Sequence, residues 1–374
     1  MLDILVIFVV TAVCSGIAVG LILIISHRKS WYDQTNDRKV HSGHVPRLGG
    51  IGFAVVFVIG AVFIVALTRK FDSVVRFLPC LAGICIIAAA GAWDDFRPVK
   101  PLFKLLTQIA AALCVVIPGY TFRRIVFFDN NYLENIRWLS YFVTVVWIVG
   151  LTNAMNFIDG LDGLAGGISA IIALTFAFIF SRYGETPSAA MLCVCLFGAI
   201  VGFLLYNVPV PQAKIFMGDG GSQFLGFTLA LLPLLEEHNT AAALPVPYAA
   251  ALLAIPIFDT TAAVWRRVRD KKWITTPDRG HIHHKLMNLG LSAPKIDIIM
   301  MCLQLALSVL VYISLKLPSY RSLLVLGLAY LLALAFFATL HFLNRKVLLA
   351  AGENGLPNCA GHLNDRGNGL QRSH

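Results

Sequence analysis

NAMNFIDGLDGLAGGISAIIALTFAFIFSRY, residues 153–183, sets a carboxylate-rich junction directly against an apolar run. From Ala165 to Ser181 no side chain is charged. Such a stretch approaches the roughly 20 residues that a helix needs to cross a bilayer. Helix is the expected form, because lipid offers no partner for an open backbone N–H or C=O. Just before the run, Asn153, Asn156, Asp159 and Asp162 recur at every third position. On a continued helix they form one slowly rotating stripe. Gly160, Gly163, Gly166 and Gly167 let the backbone turn and pack closely there. Carboxylates beside lipid are costly and need a partner or a purpose. An oxygen-rich stripe with no Lys or Arg near it in sequence suits a hard cation such as Mg²⁺. A polar hydrogen-bond ladder between helices is the competing reading.

Outward from this junction the pattern repeats. The 374 residues are 58% hydrophobic and only 13% charged. The expected architecture is all-α: a polytopic helical membrane bundle of about eleven spans. They fall near 2–26, 48–67, 74–93, 102–118, 138–155, 165–182, 188–206, 222–235, 241–264, 297–315 and 321–343. The first apolar run is long, lacks a basic leader and ends in His27, Arg28 and Lys29, so no cleavable signal peptide is expected. With the N-terminus outside, inner loops and tail hold 21 of the 30 Lys and Arg. That imbalance makes the C-terminus cytoplasmic. The net charge of +10 therefore reads as topology and contact with anionic lipid or phosphate, not as nucleic-acid binding. Residues 1–343 read as one integral membrane domain and 344–374 as a polar, disordered tail. The eight cysteines are scattered, mostly inside spans, and suggest neither a disulfide framework nor a metal site.

The loop parity brings further motifs to the same side. DQTNDRKVHSGHVPRLGG, residues 33–50, supplies Arg38, Lys39, His41 and Arg47, either to anchor the loop or to bind phosphate. GAWDDFRPVKPLFKLLTQ, 91–108, carries Asp94 and Asp95, which cannot share one helical face, and Lys104 about three turns on. In FMGDGGSQFLGF, 216–227, Asp219 lies among glycines at a helix start, where its carboxylate and the backbone N–H groups together suit Mg²⁺ plus phosphate. Asp259 sits in the inner third of a span, to orient a ligand or pair with a basic residue. Arg279, His281, His283 and His284 lie in DRGHIHHKL, 278–286. Three imidazoles invite zinc, yet no fourth ligand accompanies them and neighbouring cations oppose a metal, so anion binding is preferred.

The order RKVH, PRLGG, WDD, NxxNxxDGxDGLAGG, FMGDGGS, PxFDT and DRGHIHHKL resembles the polyprenyl-phosphate N-acetylhexosamine-1-phosphate transferases over roughly residues 30–290. The peptidoglycan enzyme phospho-MurNAc-pentapeptide transferase is a more distant relative of that family. The resemblance implies a bacterial inner-membrane enzyme with its site on the cytoplasmic face. It would move a sugar-1-phosphate from a UDP-N-acetylhexosamine to undecaprenyl phosphate, releasing UMP, with Mg²⁺ or alternatively Mn²⁺. UDP-GlcNAc is the first donor expected, with UDP-GalNAc or a UDP-N-acetylfucosamine as alternatives. The products would start O-antigen, common-antigen or teichoic-acid linkage synthesis. By the same likeness Asp219, Asn156 and Asp159 hold the metal. Asp94, Asp95 and Asp159 form the catalytic set. Lys104, Asn153, Asn156, Asp162, Arg38, His41, Arg47, Arg279, His281, His283 and His284 bind substrates. The family likeness leaves a homodimer open, and one-step attack and an aspartyl-phosphate route as well.

Two other classes compete. A transporter using intramembrane carboxylates would place them near mid-span and show inverted repeats, whereas here they gather at span ends and no repeat is seen. A lipid-binding scaffold would keep the basic loops but has no use for Asp94, Asp95, Asp159 and Asp219 together.

Overall fold

The protein is described by a computed structural model. It covers residues 2–32, 45–68, 71–122, 136–184, 187–208, 212–235, 244–273, 276, 278 and 280–353. Every regular element among these is helical. In chain order they are α1 (Leu2–Lys29), α2 (Gly49–Thr68), α3 (Phe71–Phe96), α4 (Pro101–Val116), α5 (Arg137–Ile158), α6 (Leu164–Tyr183) and α7 (Pro187–Asn207). Then follow α8 (Gly218–Leu231) with a 3₁₀ turn at Leu232–Leu234, α9 (Val246–Leu252), α10 (Ala254–Arg269), α11 (Ile282–Asn288), α12 (Ala293–Ser314) and α13 (Ser319–Glu353).

Eight helices among the described residues are long and apolar enough to cross a membrane: α1, α2, α3 from Phe77, α5, α6, α7, α12 and α13 from Tyr320. The pair α9 and α10, bent by 85°, makes a ninth if taken as one broken passage. This is a multi-pass integral membrane protein. Three stretches expected as spans lack a straight helix of that length. The stretch 102–118 forms the 16-residue α4, and 222–235 lies on the 14-residue α8 and its 3₁₀ turn. The stretch 241–264 breaks at Leu253, shortly before Pro256, which brings no N–H to the first turn of α10. At the other end α13 runs on to Glu353, through the first ten residues of the expected tail.

The short α8 organises the bundle. All but one of its residues are buried, and α2, α3 and α5 pack around it. Its buried Ser222 and Gln223 are hydrogen-bonded to neighbouring helices, as buried polar groups require. Its glycines let neighbours approach. A Cβ on Gly50 of α2 would lie 2.3 Å from the Gly221 backbone, and one on Gly91 of α3 would lie 2.5 Å from Gly220 Cα. No larger side chain fits at either crossing. One turn along, Phe224 meets the edges of Phe53 and Phe57 at ring separations of 5.7 and 5.6 Å, fastening α2 to α8. The α1–α7 and α6–α7 contacts complete the core.

Candidate active site

Backbone pairing first brings two distant motifs together. The Phe216 N–H donates to Pro46 O at 2.8 Å, while Gly49 N–H and Gly50 N–H donate to Phe216 O and Met217 O at 3.0 and 2.9 Å. Arg47 therefore stands beside the start of α8, its Nη2 3.5 Å from Asp219 Oδ1. Gly218, just before Asp219, holds φ +75°, a left-handed turn that a side chain would strain.

Around Asp219 the structure joins α3, α4 and α8. The N–H groups of Asp219 and Gly220 donate to the two carboxylate oxygens of Asp95 at 2.7 and 3.0 Å. Asp95 thus caps α8 from another helix, satisfying two N–H groups that the helix itself leaves open. The Lys104 ammonium lies between Asp94 Oδ2 at 2.5 Å and Asp219 Oδ2 at 2.7 Å. Asp94 is steadied through its other oxygen, which accepts the Val99 N–H at 2.8 Å. Asp94, Asp95, Lys104, Arg47 and Asp219 accordingly form one cluster.

The stripe at the end of α5 reaches the same helix. Ser222 Oγ on α8 donates to Asn156 Oδ1 at 2.7 Å. Asp159 follows the last residue of α5. Burial pushes its carboxyl up to about 8, helped by the charges of Asp219, Asp162 and Asp95 and opposed by Arg47. The Asp162 turn is held at Gly163, whose N–H donates to Asn207 Oδ1 at 2.8 Å, while Asn207 Nδ2 donates to Ile215 O at 3.0 Å. Asn153 lies one turn deeper, its amide donating to Gln108 Oε1 at 2.7 Å. Asp219, Asp159 and Asn156 could offer oxygen donors of the kind that suits Mg²⁺. Among the described residues no three His, Cys, Asp or Glu side chains stand together as a metal group.

The histidines lie against the turn that follows α5. Asp259 on α10 accepts the Ile282 N–H at 2.9 Å and lies 2.7 Å from His281 Nδ1, so its carboxylate fixes the start of α11. The His281 and His283 rings are nearly parallel, and His284 lies 4.3 Å from His283. Burial pushes the His283 imidazole down to about 3, with the neighbouring His284 adding to it. A Cβ on Gly160 would stand 2.4 Å from the His283 ring, so the histidine loop rests directly on the Asp159–Asp162 turn. Arg38, His41 and Arg279 lie outside the described residues.

One buried cation escaped the reading of the sequence. Arg267 is only 5% exposed, lies over the Phe157 ring at 5.4 Å, and has Nε and Nη1 without a hydrogen-bond partner among the described residues. His283 Nδ1 is likewise buried and unpartnered. Buried donors of this kind suit an incoming anion. The signal was present in the spacing: Asp259, Ala263 and Arg267 fall four apart, on the buried face of α10. Next to it, Arg266 holds Asp278 through Nε and Nη2 at 3.0 and 2.6 Å.

Comparison with known proteins agrees with this assembly of motifs. The family model described as glycosyl transferase family 4 matches residues 77–236. A Bacillus subtilis (strain 168) protein is 34% identical over 295 residues, covering 78% of this chain and 79% of the relative. The chain belongs to glycosyl transferase family 4. The Bacillus relative is named as a probable undecaprenyl-phosphate N-acetylglucosaminyl 1-phosphate transferase. A Salmonella typhi undecaprenyl-phosphate alpha-N-acetylglucosaminyl 1-phosphate transferase is 29% identical over 264 residues, 70% of each chain. A Mycobacterium tuberculosis decaprenyl-phosphate N-acetylglucosaminephosphotransferase is 29% identical over 313 residues, 77% of this family member and 76% of the relative.

Proposed function

We propose that the protein transfers N-acetylhexosamine-1-phosphate, GlcNAc-1-phosphate first among donors, from a UDP-sugar to undecaprenyl phosphate. A lipid phosphate oxygen forms a bond to the β-phosphorus, the bond from that phosphorus to the bridging oxygen breaks, and UMP leaves. The observation that carries this reading is the Lys104 ammonium bridging Asp94 and Asp219, with Arg47 on the other oxygen of Asp219. Two cations at mobile-length side chains meet two carboxylates there, and phosphate chemistry needs both signs. Like charge on donor and acceptor must be neutralised before they approach. The names of the relatives support the polyprenyl carrier and the GlcNAc donor.

Asp219, Asn156 and Asp159 would hold Mg²⁺, or Mn²⁺ in its place. Bound there, the cation would screen the diphosphate oxygens and draw charge from the β-phosphorus. Asp94 orients the carrier phosphate and takes its proton, Lys104 and Arg47 meet its charge, and Asp95 keeps the α8 N-terminus in place for them. Arg267 joins His281, His283 and His284 on the donor diphosphate, and the family likeness assigns Arg38, His41, Arg279 and Asp162 to substrate binding as well. Direct attack needs only these positions.

We take α4, α8 and the bent α9–α10 pair as passages of their own. That gives eleven, with the N-terminus outside and the site at the cytoplasmic face of the bacterial inner membrane. The product would be a lipid-linked diphosphate sugar that starts a surface glycan. The test is UMP release by purified protein with undecaprenyl phosphate and Mg²⁺ across UDP-N-acetylhexosamines. Release with UDP-GlcNAc, lost on adding EDTA, is expected. Release with UDP-GalNAc alone would reassign the donor, and silence across the panel from folded protein would refute the reading.

A further inference from the structure

Beneath the charged cluster lies a second layer made only of amides. Gln108 is 1% exposed and Gln223 4% exposed, and Asn153 is half-buried beside them. Gln108 Nε2 donates to Gln223 Oε1 at 3.1 Å, and Asn153 Nδ2 donates to Gln108 Oε1 at 2.7 Å and to Val149 O at 2.8 Å. Gln108 Nε2 also donates to Asn153 Oδ1 at 3.4 Å, so the Gln108 amide engages Asn153 on α5 through both of its ends and Gln223 on α8 through its nitrogen.

The spacing relates this layer to the one above it. Gln108 follows Lys104 by four residues on α4, and Gln223 follows Asp219 by four on α8. Asn153 precedes Asn156 by three on α5. Residues three or four apart stack on one helical face, so Gln108 and Gln223 sit roughly 6 Å below Lys104 and Asp219 of the charged cluster, and Asn153 roughly 4.5 Å below Asn156, which Ser222 ties to α8. All three helices contribute one residue to each layer, α5 running in the opposite sense to α4 and α8. Against α3 and α5, α4 packs helix to helix, and it reaches α8 through the long side chains of Lys104 and Gln108. Lys104 has four rotatable bonds and cannot by itself set a distance. The Gln108 amide, anchored at both ends, can.

We propose that Gln108 is a positioning residue: held between Asn153 and Gln223, it fixes where the Lys104 ammonium stands relative to the Asp219 carboxylate. The proposal rests on the transferase reading for its kinetic test, and it removes Asn153 from the substrate contacts. An apolar trio would fill the same space without direction, whereas a connected set of amides admits one register.

The test compares wild type with Gln108→Leu and with the double variant Gln108→Leu/Gln223→Leu. In the single variant the Gln223 amide loses its buried partner, so Tm falls. In the double variant no orphaned amide remains between α4 and α8, and Tm recovers. The expected result is kcat about tenfold down in both, with KM for UDP-sugar and carrier within twofold of wild type. The Mg²⁺ concentration at half-maximal activity should rise in both. Recovery of kcat together with Tm in the double variant would overturn the proposal, since the amides would then serve stability alone. A raised KM for the UDP-sugar with an unchanged Mg²⁺ midpoint would overturn it too, by making the layer a substrate contact. A second readout stands apart from turnover: the shift of Tm that Mg²⁺ produces in detergent should shrink in both variants. Were wild type to release no UMP from any donor, the transferase reading alone would fail, and the Mg²⁺-induced shift would still decide the role of Gln108. An unchanged shift in both variants would then reject it.

Discussion

The carboxylate of Asp95 accepts the backbone N–H of Asp219 at 2.7 Å, so a candidate catalytic residue holds the backbone of a candidate metal ligand. The two roles separate by substitution. Asp95→Asn keeps one acceptor oxygen, whereas Asp95→Ala leaves two buried N–H groups at the α8 N-terminus and should cost about 1–2 kcal/mol. Asp219→Ala leaves Asp95 and both N–H groups in place. The expected order of Tm is wild type, Asp219→Ala, then Asp95→Ala, while UMP release is abolished in Asp219→Ala and partly kept in Asp95→Asn. Full turnover by Asp219→Ala would remove that residue from the metal site.

His283 is buried against Gly160, and its imidazole is held down to about 3. It is therefore neutral throughout the working range. Its folded value lies below the ordinary 6.5, so between those two values the unfolded chain binds the extra proton. Stability then rises with pH across that window and is lost as pH falls below about 6.5. Wild-type Tm should drop more steeply between pH 7 and 5 than that of His283→Gln, measured by intrinsic fluorescence. In activity, His283→Ala should raise KM for the UDP-sugar about tenfold and leave carrier KM unchanged. A change in carrier KM instead would misplace the loop.

Arg267 gives a second probe of the donor side. Its guanidinium lies over Phe157 and keeps two nitrogens without a partner among the described residues. Arg267→Lys retains the charge but loses the planar fork, so it should restore only part of what Arg267→Ala removes. KM for the UDP-sugar should rise about 100-fold in the Ala variant and about tenfold in the Lys variant. Equal effects in both would assign Arg267 to packing on Phe157.

Why Arg267 was missed shows where the sequence becomes opaque. Positive-inside counting treats every Arg of the last loop alike, yet one of them lies on the buried side of α10. Hydropathy has the matching blind spot. It registers the apolar run at 222–235 but does not distinguish burial in protein from burial in lipid, and α8 is buried among α2, α3 and α5. The helical class was legible because apolar runs of span length have one solution in a bilayer. The order of the acidic motifs also pointed to one constellation, and Asp94, Asp95, Lys104 and Asp219 do meet. What the spacing lacked was the third dimension. Asp95 proves to cap a helix 124 residues away, and Gln108 and Gln223 find each other across a gap of 115.

On the proposed metal site, Asp159 would tie pH to cation binding. Burial, with the charges of Asp219, Asp162 and Asp95, raises its carboxyl to about 8 against the pull of Arg47. Below that value the group carries a proton, and a carboxyl must give its proton up before it can bind a cation. Raising the pH from 6 to 8 should therefore lower the Mg²⁺ concentration needed for half-maximal UMP release. One proton displaced per cation makes the fall approach tenfold per pH unit at the acid end and flatten near pH 8. Asp159→Asn cannot ionise, so its Mg²⁺ midpoint should be weaker than wild type at pH 8 and nearly independent of pH. Mg²⁺ titrations of both proteins at pH 6, 7 and 8 decide the matter. A slope that persists in Asp159→Asn would move the linked proton to another member of the cluster, with Asp94 the next to substitute.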